Sequence, residues 1–451
     1  MRRLRGRTWF VLLFALALVA GMLILLWQLF TQGGQWAAFS ANSHVYEKGH
    51  IATGAIRDRN GVLLYDAESG DYAEERVVRK STLHAVGDQY GNIASGAKVL
   101  FRRYMASYNP ITGAGGGGNT VALTIDAQLN AAAYRALDGR RGTVAVYNYK
   151  TGEVLCMVSA PTFDPYDSAE VLEAVNAGDS SYDGVYLNHC LSAAFTPGSI
   201  FKVVTTAAAL ERLPSAADFT FNCTGSMELG GAVITCPNAH GEQTLGQALT
   251  NSCNCAFAQL SVDLGAKTLE RYAKSAGLLD SLEVNGLHTA KGSYTPSDEP
   301  SQIGWSGVGQ SHDLVNPCSM MVFMGCIAGE GTAKTPTLLR SVTNGLGLPG
   351  AFLPRTGESS IGFKASTCRL LKEMMRANVT EKYGQSQFGD LPVCAKSGTA
   401  EVGPDEDPHA WFAGFVDDAE HPYAFVVLVE HGGWGSSAAG SVAADVLKEL
   451  E

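Results

Sequence analysis

Three short strings, far apart in the chain, make a demand on the fold that few architectures meet. They are Ser199-Ile-Phe-Lys202, Ser252-Cys-Asn254 and Lys396-Ser-Gly-Thr399. The first two serines are 53 residues apart, and Lys396 lies 144 residues beyond Ser252. Each string alone is common as a helix cap, a turn or a surface hairpin. In this order and context they match the pattern of an active-site serine activated by lysine rather than histidine. Such chemistry works only if residues 199, 252 and 396 meet in one cleft.

Ser199 follows Phe195-Thr-Pro-Gly198 and opens a run to Leu213 that lacks Gly and Pro. Ile200, Val203, Val204, Ala207 and Leu210 recur at helical spacing, and Pro197-Gly198 mark the start. The run predicts a buried helix with Ser199 in its first turn. A separation of three residues puts Lys202 on the same face, about 5–6 Å away between Cβ atoms. A helix start also offers unpaired N–H groups and partial positive charge to a developing oxyanion. A serine hydroxyl is a poor nucleophile at neutral pH, so Lys202 must be neutral part of the time to take its proton. Burial and a second cation both lower a lysine pKa, and Lys396 is the candidate cation. A capped, solvated surface helix is the bland alternative, and the apolar residues after Lys202 argue against it.

Ser252-Cys253-Asn254 sits between two helical patterns and predicts a short turn. Ser252 there can relay protons, and Asn254 can bind a substrate amide. The segment around Lys396, then Ala410–Val416 and Tyr423–Val429, read as three successive antiparallel strands. A glycine inside a strand marks the close approach of a backbone or ligand, so Gly398 leaves room for substrate along the strand edge. Lys396, Ser397 and Thr399 are then candidates to hold a substrate carboxylate. The Thr399 N–H would complete an oxyanion hole with that of Ser199. Helices interrupt strands without a fixed period and antiparallel strands come last, which reads as an α+β domain.

Residues Trp9–Phe30 form an apolar run of 22, about 33 Å as a helix and enough to cross a membrane. Arg2, Arg3, Arg5 and Arg7 precede it, predicting a single-pass anchor with residues 1–8 cytoplasmic and the rest outside. A cleaved signal peptide is the rival reading, with Ala38-Phe-Ser40 as its cleavage site, but the run exceeds a signal core of about 7–15 residues. Ala17-x-x-x-Gly21 could seat against a partner helix. Without the four arginines the formal charge moves from −11 to −15, which argues against nucleic acid as a partner. There is no phosphate loop or dinucleotide fingerprint, and no cofactor is expected.

The length predicts a pedestal domain over 31–140 and a catalytic domain over 141–451, with the glycine run 113–118 as a spacer or hairpin tip. Ten cysteines are an even count in an exported chain, so disulfides are permitted. Cys223 and Cys236 bracket a polar, Gly-rich segment and are the candidate pair. With His240 they also resemble three metal ligands, but no fourth is evident, so no metal is expected. Cys156, Cys326 and Cys394 lie in apolar runs and read as small buried hydrophobes. Cys253 places a thiol near the cleft, and His409, near Trp411, reads as a loop histidine, with a place flanking the cleft as the alternative.

On these strings the chain resembles the class B penicillin-binding proteins, the monofunctional transpeptidase type. The likeness extends to Gly54-Ala-Ile-Arg-Asp-Arg-Asn-Gly61, Leu123-Thr-Ile-Asp126, Gly142–Val154, Ser306-Gly-Val-Gly-Gln310, Asn316-Pro317 and Gly440–Leu447. The resemblance implies an antiparallel sheet flanked by helices plus an all-helical lobe carrying Ser199 and Ser252, preceded by one transmembrane helix and a small mixed pedestal. It implies D,D-transpeptidation of peptidoglycan stem peptides, with Ser199 as nucleophile and β-lactams as inhibitors. Its roles transfer to Ser199, Lys202, Ser252, Asn254, Lys396, Ser397 and Thr399, with Ser397 standing where threonine is commoner. It also implies docking to a membrane glycosyltransferase of the SEDS type. The alternatives are a D,D-carboxypeptidase, a β-lactamase lacking an evident deacylating base, and an inactive β-lactam-binding scaffold or sensor.

Overall fold

The computed structural model describes residues 2–37, 54–106, 118–214, 216–311, 313–344, 347–349, 353 and 356–450. Ala38-Phe-Ser40 and residues 113–117 of the glycine run lie outside them. The N-terminal helix spans Arg2–Ala37. Its segment Thr8–Leu29, 22 residues of mean hydropathy 2.8, is long and apolar enough to cross a membrane.

Five antiparallel strands make the central sheet, in the order Val393–Ala400, His409–Val416, Tyr423–Val429, Gly142–Asn148, Val154–Ala160. The first three are the strands expected from the alternation around Lys396. Every residue of His409–Val416 is buried, so both faces of the sheet are covered. Strand side chains alternate between faces, and the core divides accordingly. Trp411, Ala413 and Phe415 join one cluster, while Ala410, Phe412 and Val416 join another.

The helix Pro317–Ala328, buried along its whole length, lies on the Trp411 face. Pro317 suits the first helical position, where its missing N–H costs nothing. Asn316 accepts the Ser319 N–H at 3.1 Å and donates to the carbonyls of Cys190, Leu191 and Ala193. Helices Ala127–Leu137 and Gly435–Lys448 cover the Phe412 face. Beyond Pro317–Ala328 stands the helical lobe, with Lys202–Arg212, Leu245–Thr250, Asn254–Leu264, Ala266–Ser275 and Pro300–Val308. It carries an addition not foreseen: two two-stranded ribbons, Thr220–Cys223 with Gly241–Thr244 and Ser226–Leu229 with Ala232–Thr235.

The small sheet has the order Leu339–Thr343, Thr120–Leu123, Ala55–Arg57, Leu63–Asp66. Buried Asp58 shapes the turn between its last two strands by accepting the N–H groups of Asn60 and Val62, each at 2.8 Å. Its other oxygen accepts the Ala127 N–H at 3.0 Å, tying this sheet to a helix of the large one. The edge strand of this sheet comes from residues 339–343, well beyond the boundary expected near residue 140.

Candidate active site

Ser199 lies in a 3₁₀ turn, Gly198–Phe201, that runs into the helix Lys202–Arg212. The first turn is therefore tighter than the α-helical turn expected. At three residues per turn, side chains three apart fall on one side, so Lys202, the first residue of the helix, follows on the side that carries Ser199. This turn presses on the strand Val393–Ala400. Gly198 has φ +57°, and a Cβ there would stand 2.6 Å from the Thr399 carbonyl oxygen. A Cβ on Gly398 would stand 2.8 Å from the Pro197 oxygen. The two glycines let backbone meet backbone, so what approaches Gly398 is the Ser199 turn itself. The Trp411 indole donates to the Thr196 carbonyl at 2.9 Å, and the Gly198 N–H to the Gly309 carbonyl at 2.8 Å.

Lys202 is fully buried. Its Nζ donates to the Ser252 carbonyl and to Asn254 Oδ1, both at 2.7 Å, and stands 3.2 Å from Ser252 Oγ. A neutral amine has two N–H bonds and one lone pair. With the two shorter contacts taking the N–H bonds, the lone pair is left to accept from a hydroxyl, that of Ser252 at 3.2 Å or that of Ser199. Burial drives the Lys202 pKa well below the usual lysine value, and nearby Lys396 drives it further. Lys396, also fully buried, donates to Ser252 Oγ at 3.1 Å and to the Ser397 carbonyl at 2.9 Å. Burial, with Lys382 adding to it, lowers its pKa to about 7. Both lysines thus meet at Ser252 Oγ, and the Ser199 hydroxyl makes no hydrogen bond among the described residues.

Ser252 reaches this position through a helix ending. After Leu245–Thr250, the Ser252 N–H bonds the Leu249 carbonyl at 3.1 Å and the Cys253 N–H bonds the Ala248 carbonyl at 2.9 Å. Ser252 itself is left-handed, φ +53°. This is the double closure that usually places glycine at the left-handed position. A serine there carries a backbone cost of order 1–3 kcal/mol, a kind of strain that clusters at functional sites. Cys253 then caps the next helix, its sulfur accepting the Ala256 N–H at 3.4 Å.

The outer edge of Val393–Ala400 is covered by side chains, as an exposed edge strand requires. Arg376 donates to the Val393 carbonyl and Asn378 to the Ala395 carbonyl. Tyr383 Oη accepts the Ser397 N–H at 2.9 Å and lies 3.0 Å from Ser397 Oγ. Gln310 donates to the Thr399 carbonyl at 3.2 Å. Residues two apart point their N–H groups to the same side of a strand, so the Thr399 N–H shares this edge with that of Ser397. The Thr399 hydroxyl accepts the Gly435 N–H at 3.1 Å. Tyr383 and Gln310 carried no role in the sequence reading. Gln310 lay in the Ser306–Gln310 resemblance, whereas Tyr383, in the π-turn Asn378–Tyr383, left no local signal.

Two expectations need correction. Cys223 and Cys236 form no disulfide: both are free thiols. The fourth partner missing beside Cys223, Cys236 and His240 is Cys253, since one ligand atom from each of the four lies within 4.8 Å of the others. Four such groups converging on one point do not single out a pair for oxidation. His409 is not in a loop; it begins the strand His409–Val416, and its Nδ1 accepts the His431 N–H at 3.1 Å. Cys156, Cys326 and Cys394 are buried, as expected.

Residues 142–450 match the family model for the penicillin binding protein transpeptidase domain. The peptidoglycan D,D-transpeptidase PbpA of Mycolicibacterium smegmatis is 31% identical over 370 residues, 76% of this chain and 74% of that protein. PbpA of Mycobacterium tuberculosis is 29% identical over 375 residues, with the same shares. Among solved structures, the D,D-transpeptidase domain of a peptidoglycan glycosyltransferase from Eggerthella lenta superposes with TM-score 0.76 at 27% identity, over 88% of this chain and 97% of that one. The penicillin G acyl-enzyme complex of M. tuberculosis penicillin-binding protein A shares the fold, with TM-score 0.74 at 23% identity over 89% of this chain and 100% of that one. A match of this extent, laid over a serine and two buried lysines joined through Ser252, shows that the chain belongs to the penicillin-binding protein transpeptidases, in their class B, monofunctional branch.

Proposed function

We propose that this protein is a peptidoglycan D,D-transpeptidase in which Ser199 is the nucleophile and Lys202 its base. One observation carries the reading: the buried chain Lys202–Ser252–Lys396, held by hydrogen bonds of 3.2 and 3.1 Å to Ser252 Oγ, in line with the Ser199 turn. Lys202 takes the Ser199 hydroxyl proton on its lone pair as Oγ attacks the D-Ala-D-Ala carbonyl carbon. The N–H groups of Ser199 and Thr399 face the oxyanion. The proton passes through Lys202 or Ser252 to the leaving amine, D-alanine departs, and an ester remains on Ser199. The amine of a neighbouring stem attacks that ester, its proton returns by the same route, and the Ser199 hydroxyl is restored. Asn254 binds a substrate amide, and Lys396, Ser397 and Thr399 hold the terminal carboxylate beside the Gly398 edge.

The N-terminal helix anchors the protein with residues 1–8 in the cytoplasm and the catalytic region, residues 141–451, outside. The pedestal, residues 31–140 with the strand Leu339–Thr343, serves as the docking platform for a SEDS-type glycosyltransferase.

Full-length protein in detergent, treated with a labelled penicillin and weighed intact, should carry one long-lived adduct. Ser199→Ala should carry none, and Lys202→Met should acylate about 10²–10⁴-fold more slowly. Turnover of the drug without an adduct points to a β-lactamase, and an inert wild type overturns the reading. Release of D-alanine with or without an added amine acceptor then separates transpeptidase from carboxypeptidase.

A further inference from the structure

The ribbons beside the Ser252 turn are too thin to hold themselves. Of the sixteen residues in their four strands, only Cys223, Ile234 and Gln243 are buried. Isolated two-stranded ribbons are marginal in water, and segments that cannot build a core rely on disulfides or metal ions. Here the chain converges thiols. Cys223 ends one strand, Cys236 follows another, His240 precedes a third, and Cys253 caps the helix Asn254–Leu264.

One ligand atom from each of these four residues lies within 4.8 Å of the others, and Cys236 Sγ is 3.7 Å from Cys253 Sγ. A tetrahedral zinc site with Zn–S bonds of about 2.3 Å has S···S edges of about 3.8 Å. A disulfide needs about 2.05 Å. His240 Nδ1 is buried and has no hydrogen-bond partner, a deficit that coordination would remove. The Cys255 N–H donates to Cys236 Sγ at 3.4 Å, and the Ala256 N–H to Cys253 Sγ at the same distance. Backbone donors of this kind orient thiolate ligands and tune a metal site.

We propose that Cys223, Cys236, His240 and Cys253 form a closed Cys3His site for a zinc ion, which clamps the ribbons onto the Ser252-Cys253-Asn254 turn. The ligands follow the spacing Cys-x12-Cys-x3-His-x12-Cys. Three thiolates and a neutral imidazole suit zinc and leave no open coordination position, so the ion is structural and takes no part in acyl transfer. It acts through the chain. Cys253 lies between Ser252, which bridges the two lysines, and Asn254, which accepts from Lys202 and donates to the Thr235 carbonyl at 2.8 Å. Cys255, 3.5 Å from Cys236 Sγ, stands at the rim of the site and is not one of the four.

The metal assignment stands on the ligand geometry, whereas the positioning role rests on the transpeptidase reading. The closing experiment therefore reads both. Full-length protein purified in detergent, without chelator and with thiols kept reduced, should hold one zinc per chain by elemental analysis. Exchange with cobalt(II) should produce tetrahedral d–d bands and thiolate charge-transfer absorption. Cys223→Ser and His240→Ala should lose the ion, and Cys255→Ser should keep it. Should the ligand variants fail to fold, wild-type protein titrated with a chelator supplies the same readout. Removing zinc should slow penicillin acylation about tenfold or more, with recovery on adding zinc back. Reduced thiols that bind neither metal overturn the site, as does a Cys223–Cys236 bridge found by mass mapping. An acylation rate that zinc removal leaves unchanged overturns the positioning role, and zinc bound to a protein that never acylates refutes the transpeptidase reading instead.

Discussion

The two walls of the cleft are built by different physics. On one side, the strand Val393–Ala400 and the Ser199 turn meet backbone to backbone at Gly198 and Gly398, backed by a sheet buried on both faces. On the other side, Ser252 and Asn254 lie where the helix Leu245–Thr250 gives way to the helix Asn254–Leu264, both packed into the core. The ribbons beside them, however, bury almost nothing and are tied to the turn by the Asn254–Thr235 hydrogen bond and by converging thiols. Where the chain can remove apolar surface from water, packing sets catalytic geometry and global stability together. Where it cannot, polar contacts set the geometry, and stability and activity can come apart.

A side chain added at Gly398 should show the coupled wall at its most sensitive. The new Cβ would stand 2.8 Å from the Pro197 oxygen and 3.1 Å from Ile200 Cγ2, forcing the nucleophile turn off the strand. Gly398→Ala should lose about 1–3 kcal/mol, and penicillin acylation should slow about 100-fold, the usual result of a shift near 1 Å. A melting temperature and an acylation rate both at the wild-type level would break the comparison.

Asn254→Ala tests the opposite wall. It removes one acceptor from Lys202 and the tie to the Thr235 carbonyl. Acylation should fall about tenfold while stability drops only about 1 kcal/mol. An equal or larger stability loss than in Gly398→Ala, read by thermal melts of the two variants side by side, would show that both walls are load-sharing parts of one core.

A pH slope in stability, apart from any change of acylation, is the third effect expected. Lys396 is neutral in the folded protein above about 7, whereas an unfolded lysine keeps its proton to about 10.4. Between those values the unfolded chain binds more protons, so stability rises with pH; below about 7 both states are protonated and the slope vanishes. With one proton at stake the slope is about 1.4 kcal/mol per pH unit inside that window, and relaxation around the buried charge narrows the window by raising the folded pKa. Urea titrations at several pH values on wild type and Lys396→Met should show a shallower slope in the variant. Identical slopes would mean that Lys396 keeps its ordinary pKa.

Much of the first wall was legible before folding. Periodicity placed Val203, Val204 and Ala207 on a buried helix, with Ile200 in the turn before it and Leu210 half-buried, and alternation found the strands that became His409–Val416 and Tyr423–Val429. The glycine in Lys396-Ser-Gly-Thr399 announced a close approach, though it was the nucleophile turn that came near. Less of the second wall could be read. Nothing local marks Ser252 as left-handed, because a helix that ends on serine looks like one that begins there. Cys253 was assigned to the middle of a motif, which hid it from the search for a fourth ligand beside Cys223, Cys236 and His240. Leu339–Thr343 gave no sign that it would pair with Thr120–Leu123, more than two hundred residues earlier.

The sequence by itself determined which residues are candidates for the chemistry, which local segment carries each, and that one apolar helix precedes them. These follow from residue type and from spacings of two to four positions, the range over which backbone geometry puts side chains on one face. Tertiary structure decided the tight turn under Ser199, the bridge from Lys202 to Lys396 through Ser252, the covering of the strand edge by Tyr383 and Gln310, and the gathering of three thiols with an imidazole. Each of those depends on closing loops of tens to hundreds of residues, and only the packing of the whole core sets where such loops end.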